Sequence, residues 1–122
     1  MFAHKHLLSI DDLSRDDIMT ILNQARTFEE INERPIKKVP ALRGKTVCNL
    51  FLEPSTRTRG SFELAEKRLS CDSLNAGGSA SSTVKGESLI DTVRTLDSMK
   101  VDMFIVRHKC AGTPYIVSQN TN

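Results

Sequence analysis

The chain has 122 residues, 39% hydrophobic and 26% charged, which suits one ordinary hydrophobic core and at most one domain. Seventeen Lys and Arg against 15 Asp and Glu leave a net charge of +2, too small to argue for nucleic acid, and five Phe with one Tyr offer no surface for stacking bases. No apolar run is long enough to span a membrane, and Leu7 and Leu8 are soon followed by Asp11 and Asp12, so the N-terminus lacks the apolar centre of a signal peptide.

In chain order, Ser14 is placed to cap a first helix from about Arg15 to Asn32, with Asp16 and Asp17 in its first turn and Ile18, Ile21, Leu22, Ala25 and Phe28 along one face. Pro35 and Pro40 mark a connection that leads through Arg43-Gly44 into a mostly buried strand, Lys45 to Leu52. Pro54 sits in the next turn, Ser55 is a candidate cap for a second helix, and Arg59 to Leu69 carries Phe62, Ala65 and Leu69 at helical spacing. Ser70 to Ala76 reads as a second strand, the Gly/Ser-rich stretch from Gly77 to Gly86 as an exposed linker, and about Glu87 to Met99 as a third helix turning Leu89, Val93 and Leu96 inward. Val101 to Val106 is a third strand, and Thr113, with Pro114 behind it, starts a further helix. This alternation predicts an α/β fold: a parallel sheet with flanking helices and right-handed crossovers.

The run Phe51-Leu52-Glu53-Pro54-Ser55-Thr56-Arg57-Thr58-Arg59 gathers hydroxyls and guanidinium groups into one turn between strand and helix. Singly, a Ser or Thr there is a cap and an Arg a solvated charge. Two arginines at the positive end of a helix are destabilising unless an anion sits among them, so the turn reads as a phosphate site. Ser55, Thr56 and Thr58 can donate hydroxyl hydrogen bonds, and Arg57 can fork onto two phosphate oxygens. In a parallel sheet ligands gather at the carboxyl ends of strands, which brings Arg107 from the third strand to the same pocket; taken alone, Arg107 is a surface charge ending a strand.

Cys48, Cys71 and Cys110, odd in number and in or beside strands, are expected to be buried free thiols in a reducing, cytoplasmic compartment. No zinc spacing is present, and His4 and His6 read as a frayed end rather than a metal site.

The phosphate turn, followed by Ser61-Phe62-Glu63, then Lys85-Gly86-Glu87-Ser88-Leu89, Asp91-Thr92 and Arg107-His108, resembles the aspartate and ornithine carbamoyltransferases in order and approximate spacing. The resemblance runs from His6 to Arg107 and implies an incomplete carbamoyl-phosphate domain over residues 1–122, the second, amino-acid-binding domain being absent. Ser81, four residues before Lys85, resembles the aspartate rather than the ornithine branch. What it implies is attack of the L-aspartate amine on the carbamoyl carbon of carbamoyl phosphate, a step of de novo pyrimidine biosynthesis, without metal or organic cofactor. In that scheme Ser55, Thr56, Arg57 and Thr58 bind phosphate, and Thr58 and Arg107 polarise the carbonyl. Ser81 and Lys85 complete the site of a neighbouring subunit in a homotrimer, with neither nucleic acid nor membrane as partner. The family's His-Pro-Thr-Gln segment does not occur among these residues, so the isolated chain is expected to be inactive. A binding-only module, an assembly fragment with a vestigial phosphate turn, and an ornithine-type enzyme are the alternatives. Lys109 stands where the family usually has proline, which is expected to loosen the turn that aims Arg107.

Overall fold

The computed structural model describes residues 2–77 and 88–122, and the chain divides into two compact units, residues 1–38 and 39–122. In the first unit a 3-10 turn at Ile10–Asp12, capped by the Ser9 hydroxyl, precedes helix α1, Arg15–Asn32. The expected bounds and cap of α1 are both present. The Ser14 hydroxyl accepts from the Asp17 N–H at 3.1 Å and the Asp17 carboxylate accepts from the Ser14 N–H at 3.0 Å, a reciprocal capping box. That backbone bond, with the His4 imidazole at 2.9 Å, holds the Asp17 carboxyl below its ordinary range. His4 is therefore tied to α1, where the sequence suggested a frayed end. Of the expected apolar stripe, Ile18 and Phe28 are half-buried while Ile21 and Leu22 are exposed; Ile31 is the buried residue of the helix.

The second unit runs β1 (Thr46–Phe51), α2 (Thr56–Arg68), β2 (Asp72–Gly77), α3 (Leu89–Ser98), β3 (Met103–Arg107) and α4 (Thr113–Gln119). The strands form the expected parallel sheet, in the order β2-β1-β3. Central strand β1 is buried from Val47 to Phe51, which explains its near-continuous apolar run, since a parallel strand covered on both faces needs no alternation. In register, Phe51 lies opposite Gly77 on one side and Arg107 on the other, so the three strands end together.

Alternate residues divide the sheet. Cys48 and Leu50 join Val93 and Leu96 of α3, Val101, and Val117 of α4 in the buried core, with Leu52, Leu74, Ala76, Leu89, Phe104 and Val106 packed around them. The expected inward face of α3 is thus observed. The face of β1 that carries Asn49 is different. Asn49, fully buried, donates from Nδ2 to Glu66 Oε1 of α2 at 2.9 Å and to Asn75 Oδ1 of β2 at 3.0 Å, and the Ser73 hydroxyl donates to the same Glu66 oxygen at 2.7 Å. Glu66 is the buried residue of α2, whereas Phe62 is 41% exposed and Ala65 is exposed. The helix is turned from its expected apolar face because one oxygen of the carboxylate accepts two hydrogen bonds from the sheet, from Asn49 and Ser73, which offsets part of the cost of burying it.

Helix α2 ends in a Schellman motif with Ser70 at φ 68°, the Cys71 N–H donating to the Glu66 carbonyl at 2.9 Å and the Ser70 N–H to that of Lys67 at 3.1 Å.

Cys48 and Cys71 are buried free thiols, as expected, but Cys110 is exposed because it lies in the loop beyond β3 rather than in the strand. Burial, with Glu66 adding repulsion, pushes the Cys48 thiol up to about 11, and burial likewise raises Cys71. Iodoacetamide at pH 8 is therefore expected to alkylate one site in the native chain, Cys110, and all three after unfolding; native modification at Cys48 seen by mass spectrometry would contradict the packing. Because the folded Cys48 keeps its proton above the ordinary thiol value of 9.0, its contribution to stability is present below about pH 9 and is lost as the pH rises towards 11.

Candidate anion-binding site

The site lies where the three strands end. Helix α2 begins at Thr56, one turn earlier than its apolar spacing suggests, so Thr56, Arg57 and Thr58 all occupy its first turn. Ser55 stands at the N-cap with φ −160° and ψ 80°, and its side chain makes no capping hydrogen bond. The intrahelical ladder starts with the Arg59 N–H donating to the Ser55 carbonyl at 3.0 Å. No described residue accepts from the N–H groups of Thr56, Arg57 and Thr58, and the first turn has no acidic residue to offset its positive end. That combination of free donors and an uncompensated dipole is what an anion fits.

Arg107, the last residue of β3, reaches across to this turn. Its Nη1 donates to the Thr58 hydroxyl at 3.0 Å and its Nε to Glu53 Oε1 at 2.8 Å, while its backbone carbonyl accepts from the Leu52 N–H at 2.8 Å. The expected convergence of Arg107 with the phosphate turn is therefore present in the ligand-free chain. Thr58 and Ser55 are half-buried and Thr56 and Arg57 exposed; among the described residues the Arg57 guanidinium has no hydrogen-bond or ion-pair partner. Arg59 turns away along α2, with Nε 3.7 Å from Glu63. Ser81 and Lys85 lie outside the described residues.

Two residues of the site carried no role in the sequence reading. Glu53 is one, although a carboxylate in the same turn as two arginines was a signal that something must pair with it. The other is His108, whose Nδ1 accepts from the Cys110 N–H at 3.0 Å and lies 2.9 Å from the Thr113 hydroxyl. The turn after Arg107 is thus held by a side chain, which counters the loosening expected from Lys109. Among the described residues no group of three or more His, Cys, Asp or Glu is arranged to hold a metal ion, and no helix is long and apolar enough to cross a membrane.

Parallel strands ending together under an uncapped helix start, with an arginine arriving from the neighbouring strand, form an α/β arrangement that an anion would suit. A family profile described as aspartate/ornithine carbamoyltransferase, carbamoyl-P binding domain, matches residues 5–121, and the chain belongs to that family. It is 56% identical over 119 residues to the aspartate carbamoyltransferase catalytic subunit of Desulfotalea psychrophila, covering 98% of this chain and 37% of that protein. It is 57% identical over 121 residues to the corresponding subunit of Carboxydothermus hydrogenoformans, covering 99% and 39%. Among solved structures, the catalytic subunit of M. jannaschii aspartate transcarbamoylase superposes with TM-score 0.85 at 40% identity over 98% of this chain and 39% of that one. The Trypanosoma cruzi enzyme in complex with carbamoyl phosphate and aspartate gives 0.85 at 32% identity over 98% and 37%. The chain spans less than two fifths of the length of these relatives.

Proposed function

We propose that this chain supplies the carbamoyl-phosphate site of an aspartate carbamoyltransferase, which transfers the carbamoyl group to L-aspartate in de novo pyrimidine biosynthesis in the cytoplasm. The observation that carries the reading is the meeting of Arg107 with Thr58 at the start of α2, beside donors that no described residue uses. The first-turn N–H groups and the hydroxyls of Ser55, Thr56 and Thr58 would take the phosphate, and Arg57 would fork onto two of its oxygens. Arg107 and Thr58, already hydrogen-bonded to each other, would donate to the carbonyl oxygen, on which negative charge grows as the aspartate amine adds to the carbon. The bond from the carbonyl carbon to the phosphate oxygen then breaks, and phosphate leaves with part of its charge offset by Arg57 and the first-turn donors and takes up the proton that the amine sheds. No side chain need act as nucleophile: the chemistry is positioning and preorganised charge.

In this reading residues 1–122 are an incomplete carbamoyl-phosphate domain, the amino acid is held by a second domain, and Ser81 and Lys85 serve a neighbouring subunit of a homotrimer. The relatives named as aspartate enzymes favour L-aspartate over ornithine as acceptor.

The test is calorimetric titration of the chain with freshly dissolved carbamoyl phosphate. Arg57→Ala is expected to weaken binding by about 1.5 to 3 kcal/mol, the range of a charge-assisted hydrogen bond. Its melting temperature should not change, because the side chain is exposed and has no described partner. Undiminished affinity in the folded variant would remove Arg57 from the site.

A further inference from the structure

We infer that His108 is a positioning residue for Arg107, fixing through its Nδ1 atom the turn that follows β3 and hence the direction in which the Arg107 guanidinium leaves the sheet. The inference rests on the reading of Arg107 as a ligand of carbamoyl phosphate. Arg107 ends its strand, and the Leu52 N–H on its carbonyl is the last described hydrogen bond linking β3 to its neighbour. Beyond it, residues 108–112 form a loop in which Lys109 and Cys110 are exposed. The two shortest hydrogen bonds described within that loop and to the start of α4 both end on one atom, His108 Nδ1: the Cys110 N–H at 3.0 Å and the Thr113 hydroxyl at 2.9 Å. The backbone bond across the same loop, from the Thr113 N–H to the Cys110 carbonyl, is longer at 3.3 Å.

The chemistry of the ring follows from the donors. A backbone N–H can only donate, so Nδ1 is the acceptor and the imidazole proton sits on Nε2, with the single lone pair of Nδ1 shared between an amide and a hydroxyl. A ring nitrogen that accepts from the amide two residues on closes the same turn that an asparagine side chain closes. Here the turn is also anchored: Thr113 is 3% exposed and Val117, one helical turn further along α4, lies in the core. The imidazole therefore joins a buried fixed point to the residue after Arg107.

Arg107 must aim two bonds at once, to Glu53 in the turn after β1 and to Thr58 in the first turn of α2. Rotation of the peptide that follows it swings the base of that long side chain, and displacements of about 1 Å at a substrate-orienting group are enough to cost affinity or rate.

The test separates aim from mere packing. In His108→Ala both acceptor contacts are lost; in His108→Asn the amide oxygen takes the place of Nδ1 and the turn is kept. In the ligand-free chain the Arg107 Nε–H, held by Glu53, should give an NMR signal protected from exchange. Exchange should quicken several-fold in His108→Ala and return to the native rate in His108→Asn. Carbamoyl phosphate affinity should fall about three- to tenfold in His108→Ala, the size of one lost neutral hydrogen bond, and recover in His108→Asn. In an Arg107→Ala background the same His108→Ala change should have no further effect on affinity, because the residue it acts through is gone. Equal losses in both backgrounds, or an unaltered Arg107 signal, would overturn the inference. Should His108→Ala fail to fold, Thr113→Val, which removes one donor and keeps the shape, is read the same way. If the native chain binds no carbamoyl phosphate the proposed function falls, while the Arg107 signal still decides whether His108 sets its direction.

Discussion

Arg107→Ala is expected to weaken carbamoyl phosphate binding by about 3 kcal/mol, roughly 150-fold, at the top of the range for hydrogen bonds made by a charged donor. The size follows from what the substitution does to its neighbours as well as to itself. Arg107 is the one described cation paired with Glu53, at 2.8 Å, and removing it leaves a carboxylate next to the place where phosphate would sit. The variant thus loses a donor and gains a repulsive charge. Partial exposure of the pair, with side-chain accessibilities of 43% and 31%, limits the repulsion through solvent screening. Arg107→Ala combined with Glu53→Gln should therefore bind better than Arg107→Ala alone. Calorimetry on the three variants checks this, and equal affinity for the single and double variants would show that Glu53 exerts no field on the bound anion.

Gly77→Val should be the most destabilising single change in the second unit, at about 3 to 5 kcal/mol. Gly77 ends β2 with φ +86°, a conformation that costs any L side chain, and a Cβ there would lie 2.5 Å from the Phe51 carbonyl oxygen and 3.0 Å from its carbon. Neither of those atoms can yield, because Phe51 is buried in the central strand. Gly44 supplies the control: its φ is also +86°, yet no atom of the described residues lies within 4 Å of its hypothetical Cβ. Gly44→Ala should cost only the backbone term, about 1 to 2 kcal/mol. Urea unfolding of the two variants separates clash from conformation, and equal losses would mean that β2 can retreat from β1 at its carboxyl end.

What could be read in advance was local. Ser14 and Asp17 specify the start of α1 with groups three residues apart, so its bounds were legible, as was the inward face of α3 from Leu89, Val93 and Leu96. The start of α2 was legible only from Ser55 as a candidate cap, not from apolar spacing. Thr56, Arg57 and Thr58 have no apolar partner whose spacing could announce a helix, and its first turn is built from the groups that would hold an anion. The face of α2 was hidden for another reason. Phe62 and Ala65 were the local signal, but Asn49 on β1 and Ser73 on β2 decide which side of the helix is buried, and their meeting with Glu66 depends on the sheet register. Of the site, the residues offering hydroxyls and guanidinium groups were legible from composition and spacing. Glu53 and His108 were not, because a carboxylate and an imidazole near an anion site acquire meaning only once their partners at Arg107, Cys110 and Thr113 are placed.

The Asn49–Glu66–Ser73 hydrogen bonds also have a mechanical meaning. A helix held to a sheet by grease alone can creep along its axis or roll, since dispersion forces change little over small displacements. Directional bonds to a single carboxylate oxygen do not permit that, and Glu66 acts as a dowel through α2. The Thr56 end of the same rigid rod is thereby stopped at a set height above the sheet edge. The precision with which the donors of the first turn would meet a phosphate is machined about ten residues away, on the face of the sheet.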